Sequence, residues 1–267
     1  MTTSEPSPYD AIARLYDSWS LSVTEDVPFY IEEARAAGDG PVVELGVGTG
    51  RIAVPIAAAG IPVIGVDSSE RMLDVAAEQA EAAGVAALVD LRYGDMRDPP
   101  VDGTAPLVIC PFRSLLHMET DPDRRAALRA IRGMLRPEGR LVFDVFTPGI
   151  DDIEDTHGRW IEREPGIWER ADWDQETRTL VLRVRGHGHE SEMSLSWLSV
   201  AEWRVLLQEE GFVVDVETDV LDDAARPRVV EARDPVVRGH ARYLSGAMQA
   251  TAIMLFTRPR CSSRGAA

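Results

Sequence analysis

The sequence predicts an α/β fold: a doubly wound, mostly parallel sheet with a small antiparallel β lid inserted after its fifth strand. Three observations predict it. Short apolar runs alternate with helical patterns between residues 42 and 148. One of those runs, PLVICPF (106–112), is apolar throughout, as the middle of a parallel sheet requires. After Pro148 the grammar changes, and residues 160–198 show short alternating stretches separated by polar turns.

Residues 8–37 have helical spacing, first through Ile12, Leu15, Tyr16 and Trp19, then through Phe29, Tyr30, Ala34 and Ala37. VVEL (42–45) reads as the first strand and 50–59 as the helix behind it, stopped by Gly60. PVIGVD (62–67) is the second strand, followed by a helix over 68–84 with a serine cap and a glycine stop. ALVDLRYGD (87–95) and PLVICPF are the third and fourth strands. A helix spans 121–139, with Asp121 as cap and Pro122 in its first turn, and RLVFDVFTP (140–148) is the fifth strand. RWIEREPGIWERADWD, TRTLVLRVRGHG and EMSLSWL read as antiparallel strands. In SVAEWRVLLQEEG (199–211), Ser199 and Glu202 fit a helix capping box. FVVDVETDV (212–220) and ATAIMLFTRP (250–259) are strands, and 221–249 is a polar loop with a short helix. The expected organisation is a helical cap over 8–37, a ligand-binding core over 38–150, the lid over 151–198, the end of the core sheet over 199–259 and a disordered tail over 260–267.

Composition narrows the chemistry. Among 267 residues, Asp+Glu number 45 against 28 Lys+Arg, for a net charge of −17, and no basic run is present. A polyanionic nucleic-acid partner is disfavoured by that field, and a neutral or cationic small molecule suits it. The chain has no lysine, which removes P-loop, Schiff-base and protein-kinase chemistry. Asparagine is absent too, and the two absences together suggest a G+C-rich coding bias of the actinobacterial kind. Cys110 and Cys261 cannot make a disulfide framework or a four-cysteine metal site. The N-terminal residues lack a signal-type apolar core, and no run of about 18 apolar residues exists. A cytoplasmic protein without a membrane partner is expected.

The first strand runs into ELGVGTG, with Gly46, Gly48 and Gly50 at alternate positions. The dinucleotide fingerprint needs a third glycine at position 51, where Arg51 stands. Glu44 ends the first strand, Asp67 the second and Asp95 the third, so three acids and a glycine turn converge where an open α/β sheet binds its ligand. ELGVGTG, VIGVDSS, YGDMRD and LRPEGRLVFDVF, in that order, resemble the class I S-adenosylmethionine-dependent methyltransferases. The resemblance covers residues 9–150 well and 199–259 more loosely. It implies a seven-stranded, Rossmann-like sheet whose last two strands form an antiparallel hairpin at one edge. It also implies that Gly46, Gly48 and Gly50 let the backbone approach the methionyl part, with Glu44 against its amino group. Asp67 would bind the ribose, and Asp95 and Met96 the adenine. Thr49, Ser68, Met72 and Pro111 would complete the donor site, Met72 serving equally as core packing. The donor would be S-adenosylmethionine, the product S-adenosylhomocysteine, and a homodimer is compatible with the type.

Methyl transfer is a direct displacement at an activated sulfonium, so the enzyme mainly aligns donor and acceptor. The segment after the fourth strand, CPFRSLLHM, lacks the Pro-Pro-aromatic sequence of nucleic-acid amino methyltransferases and shows no set of metal-binding acids. It resembles small-molecule N- and O-methyltransferases of natural-product pathways, the sugar N,N-dimethyltransferases above all. Their acceptor-site histidine and tyrosine match His117 and Tyr16 here, His117 as general base or as a shaping residue, Tyr16 closing over the donor or the acceptor or serving as an ordinary helix aromatic. Phe112 and Arg113 would meet the acceptor, Arg113 holding an acidic group or pairing with a surface acid. Trp160, Trp168, Trp173 and Trp197 of the lid would line an apolar pocket or serve as packing. HGHE (187–190) resembles a metal clip but has no third ligand, and a solvent-exposed turn is the simpler reading. Two other functions compete. A nicotinamide-dependent oxidoreductase would need the third glycine and a lysine. A silent ligand-binding relative would show a damaged glycine turn or ribose acid, and both are intact.

Overall fold

The computed structural model describes residues 7–20, 26–219 and 251–259. A 3-10 turn at Pro8–Ala11 precedes helices α1 (Ala13–Trp19) and α2 (Val27–Ala36). Strands and helices then alternate: β1 (Val42–Leu45), α3 (Ala53–Ala58), β2 (Val63–Asp67), α4 (Glu70–Ala82), β3 (Val89–Tyr93), β4 (Ala105–Cys110), α5 (Asp121–Met134) and β5 (Leu135–Thr147). A short helix, α6 (Ile150–Thr156), leads into β6 (Trp160–Glu164), β7 (Ile167–Asp174), β8 (Thr179–Gly186) and β9 (His189–Ser196). The chain returns through α7 (Val200–Glu209) to β10 (Phe212–Asp219) and β11 (Thr251–Pro259).

The main sheet has the order β10-β11-β5-β4-β1-β2-β3. β1 to β5 run parallel, and β11 and β10 continue the sheet antiparallel beside β5. Strand order reverses between β1 and β4, which pair through Val43 with Val108 and Glu44 with Ile109. A crevice opens at the carboxyl ends of two such strands, because their outgoing connections diverge to opposite faces. β6 to β9 form a separate antiparallel sheet.

Alternation along the strands divides the core. Val42, Leu107 and Ile109 pack with Tyr30 and Ala34 of α2 and Ile56 of α3 on one face. Val43, Val108 and Phe143 pack on the other with Leu128 and Ile131 of α5 and with Trp203 and Leu207 of α7. Trp203 is fully buried, its ring edge-on to Phe143 at 5.4 Å. The inner face of the second sheet, including Leu180, Leu182 and Leu195, joins the same core.

The elements differ from the sequence reading at their ends, for local reasons. The first crossover helix starts at Ala53 rather than 50, because Gly48 and Gly50 both take left-handed φ, 56° and 85°, and Gly50 N–H closes a turn on the Val47 carbonyl. Thr120, not Asp121, caps α5 by accepting from Asp123 N–H at 3.3 Å, while Asp121 pairs with Arg125 one turn on. That helix ends at Met134, and residues 135–140 already belong to β5. Gly139 permits this early pairing: a Cβ there would lie 2.9 Å from the Ala105 carbonyl oxygen. α6 was not anticipated; Gly149 N–H donates to Asp152 at its start. The Ser199–Glu202 capping box is present. The 221–249 segment and the tail beyond 259 lie outside the described residues.

Trp203 tests whether α7 is held by this core. Trp203→Ala is expected to destabilise the protein by about 3–5 kcal/mol, the range for deleting a buried indole. Urea unfolding followed by far-UV circular dichroism measures it.

Candidate active site

A cavity of about 250 Å³ lies at the carboxyl ends of β1, β2 and β4. Its floor is the glycine turn. Gly46 and Val47 both donate to the Val66 carbonyl, at 2.8 and 3.1 Å, which ties the turn across the end of β2. Gly46 has φ 75°, and a Cβ there would meet Ser114 Oγ at 2.5 Å. At Gly48 a Cβ would meet nothing within 4 Å, so this backbone is bare toward the cavity it lines. Gly50 does not line the cavity; its Cα faces Val54 and Ala76 and lets α3 approach α4 closely.

Glu44 and Asp67 project into this end from neighbouring strands. Glu44 is buried, and its Oε2 has no hydrogen-bond partner among the described residues. Burial pushes its carboxyl well above the ordinary range, with the Arg51 guanidinium opposing. Arg51 pairs with both oxygens of buried Asp26 and lies 5.2 Å from the Phe112 ring centre. The side chain that replaces the third dinucleotide glycine is therefore a packed structural cation. Asp67 accepts from Gly48 N–H at 2.8 Å and Ser69 N–H at 2.9 Å. Burial raises its pKa, and those backbone donors oppose the rise. With the Ser68 N–H also bonding to it, the carboxylate still keeps acceptor capacity for a further donor.

These residues fit S-adenosylmethionine. An orphaned, buried carboxylate oxygen suits an ammonium group, and an aspartate with spare acceptor capacity suits two ribose hydroxyls. Thr49, Ser68, Met72, Met96 and Pro111 are also brought to this region. Asp95 reaches the rim, but its carboxylate is gripped by Arg97, which pulls its pKa below the ordinary range.

The opposite wall is the segment after β4. Phe112 and Arg113 both take left-handed φ, 52° and 68°, at a cost of about 1–3 kcal/mol each. Asp144 of β5 holds them there. Its buried carboxylate accepts from Phe112 N–H at 2.6 Å, Arg113 N–H at 3.0 Å and the Tyr30 hydroxyl at 2.9 Å. Phe112, Ser114, His117 and Met118 consequently line the cavity. Arg113 does not line it and lies over the Phe112 and Phe146 rings.

His117 Nδ1 lies 3.1 Å from the Ser194 carbonyl, which can only accept, so Nδ1 carries the proton. Nε2 is then the acceptor for the Tyr9 hydroxyl at 2.8 Å. Burial lowers the His117 pKa to about 4. Tyr9, which the sequence reading did not single out, is thus the tyrosine bonded to His117. Tyr16 also lines the cavity and stands edge-on to Tyr9 at 5.9 Å. The seven-residue spacing of the two tyrosines, two helical turns, was the available signal. Asp144 left only a strand-borne aspartate in FDVF.

Trp160 and Trp168 do not line the cavity. Register places both on one face of the second sheet, among Arg170, Arg183 and Arg185, and Arg185 stacks on Trp160 at 3.9 Å. Trp173 and Trp197, on the other side, are buried and mutually edge-on at 5.5 Å. HGHE spans the β8–β9 turn, and no metal-binding group of three ligands occurs among the described residues.

Residues 42–139 match the family model described as a methyltransferase domain. The glycine/sarcosine N-methyltransferase of Halorhodospira halochloris is 30% identical over 129 residues, 47% of each chain. The first two curated relatives are matched over only 55% and 47% of their own lengths. The cypemycin N-terminal methyltransferase of a Streptomyces species is 27% identical over 225 residues, 79% of this chain and 89% of that one. The CcbJ methyltransferase of Streptomyces caelestis has the same fold, with a TM-score of 0.75 at 24% identity over 97% of this chain and 100% of that one. No helix among the described residues is long and apolar enough to cross a membrane. A family match that begins at β1, a cavity whose residues fit the donor and a shared fold make this chain similar to the S-adenosylmethionine-dependent methyltransferases.

Proposed function

We propose that the protein methylates an amine nitrogen of a small molecule, with S-adenosylmethionine as donor, in natural-product biosynthesis. The observation that carries the choice of nitrogen is the state of His117. Its proton is fixed on Nδ1, its Nε2 lone pair is occupied by the Tyr9 hydroxyl, and burial lowers its pKa to about 4. A histidine so placed is a weak base at neutral pH. A hydroxyl acceptor must lose its proton as it attacks. A neutral amine attacks with its own lone pair and gives up the surplus proton to water afterwards. The Tyr9 oxygen, its hydrogen committed to His117, has lone pairs left to orient an acceptor N–H.

When bound, S-adenosylmethionine supplies the activated methyl group. Glu44 would hold its amino group, Asp67 its ribose, and Met96 would pack on the adenine, with Asp95 kept at the rim by Arg97. Phe112 would form the acceptor wall opposite. The second sheet supports this wall through Ser194, whose carbonyl orients His117. Cypemycin N-terminal methyltransferase, similar over most of both chains, acts on an amine by its name. The acidic field of the protein draws in amines that are cationic in solution, and these release a proton to water to give the neutral form that attacks.

Calorimetry with S-adenosylmethionine and S-adenosylhomocysteine tests the donor site. Micromolar binding is expected, with Asp67→Ala weakening it at least a hundredfold, since two charge-assisted hydrogen bonds are lost. No binding by folded wild type overturns the reading. A screen of amino sugars, amino-terminal peptides and phenols then tests the acceptor; turnover of phenols alone overturns the choice of nitrogen.

Glu44 adds a pH prediction. Its raised pKa in the free protein falls when an ammonium group binds, so donor binding releases protons and weakens as pH drops through the raised Glu44 pKa. Calorimetry in buffers of different ionisation heat counts the protons, and Glu44→Gln abolishes the release.

His117 links pH to stability rather than to binding. Its folded pKa of about 4 lies below the ordinary histidine value of 6.5, so the unfolded chain takes up the proton first. The stability it contributes is complete above about pH 6.5 and is lost as pH falls toward 4. Thermal unfolding at pH 7 and pH 5 should show a smaller drop in His117→Gln than in wild type.

A further inference from the structure

We propose that Asp10 and Asp17 are positioning residues for the donor: they clasp residues 7–20 over the donor end of the cavity, so that donor exchange requires the clasp to open. The inference rests on the donor reading above.

Residues 7–20 form a strap across the site, with Ser7, Pro8, Tyr9 and Tyr16 lining the cavity. The strap lies on α4, where buried Ala13 packs with Met72 and Val75. Asp10 lies in the 3-10 turn and Asp17 on α1, and the carboxylate of each bonds to a residue of α4 or its cap. Each then grips a residue flanking the donor ligands. Asp10 Oδ1 accepts from the Ser69 hydroxyl at 2.6 Å. Ser69 is the cap of α4, and its own N–H donates to Asp67. Asp17 Oδ1 accepts from the Thr49 hydroxyl at 2.6 Å, inside the glycine turn, and its Oδ2 accepts from Gln79 Nε2 at 2.5 Å. The two clasps thus close on the two donor-side loops, one after β1 and one after β2.

Neither carboxylate lines the cavity. A further acid at the ribose end would only repel Asp67, and Asp10 already raises the Asp67 pKa. A closing role accounts for placing the acids on the strap. Their partners are hydroxyls and an amide, so water replaces those contacts on opening and no unpaired charge is buried. That makes the clasp reversible.

The test is surface plasmon resonance of S-adenosylhomocysteine over the immobilised full chain. Asp10→Ala and Asp17→Ala are each expected to raise the dissociation rate about tenfold, with association unchanged or faster. Gln79→Ala removes one of the two Asp17 partners; it should give a smaller rise and add nothing in the Asp17→Ala background. Arg14→Ala breaks the exposed Arg14–Glu78 pair on the same strap and should leave both rates unchanged. Melting temperatures of the ligand-free variants report folding; if Asp17→Ala does not fold, Gln79→Ala carries the test. Unchanged dissociation in the aspartate variants overturns the clasp and leaves the donor reading standing. Loss of affinity through slower association alone also overturns it. Wild type that binds no S-adenosylhomocysteine takes down both.

Discussion

The enclosure of three carboxylates around the point where strand order reverses, Glu44 and Asp144 buried and Asp67 half-buried, governs the rest of the site. Glu44, Asp67 and Asp144 end or nearly end β1, β2 and β5, and burial pushes the pKa of each upward. A buried carboxylate needs donors or it costs several kcal/mol. Two of the three obtain them by ordering backbone. Asp67 takes the N–H groups of Gly48 and Ser69, and so fixes the glycine turn relative to the next strand. Asp144 takes those of Phe112 and Arg113, and so holds two successive non-glycine residues in left-handed backbone. Glu44 is left with an unpaired oxygen. The three acids share one environment and differ in whether the chain satisfies them itself. Asp144, satisfied in full, shapes the cavity; Asp67 shapes it and keeps acceptor capacity; Glu44, left short, waits for a ligand.

The same distinction explains what the sequence made legible. The parallel core was readable because it rests on short-range patterns: apolar strands, capped helices and glycine stops. The place of Glu44, Asp67 and Asp95 at the cavity was readable because each sits at or beside the end of its own strand. Tyr9 and Asp144 were not, because their roles come from contacts 108 and 32 residues away. Trp160 and Trp168 misled for a related reason. Alternation shows that a strand has two faces and leaves open which one meets the core, and here the core side holds Ile167, Ala171 and Trp173. Arg51 misled in the useful direction: as a broken dinucleotide motif it turned attention from nicotinamide, and in the fold it is locked to Asp26 beside the cavity.

The N-terminal strap joins what the sheet keeps apart. Asp10 and Asp17 reach the donor loops, and Tyr9 reaches His117 on the acceptor wall. The Pro8 carbonyl accepts from Ser191 of β9, and Trp19 Nε1 donates to Glu169 of β7 at 2.8 Å. One short segment therefore touches both loops of the donor site, the acceptor wall and the second sheet. Tyr9 can cap His117 only when the strap is down. The closure that covers the donor is then the closure that fixes the histidine as a neutral, hydrogen-bonded group and completes the acceptor wall. An acceptor arriving before the strap has closed would meet an incomplete pocket with an uncapped imidazole. One arriving afterwards meets a wall whose only spare lone pair, between Tyr9 and His117, lies on the tyrosine oxygen. On the proposed reading, donor first and amine second is the order that this connectivity favours, because the same few hydrogen bonds serve both halves of the site.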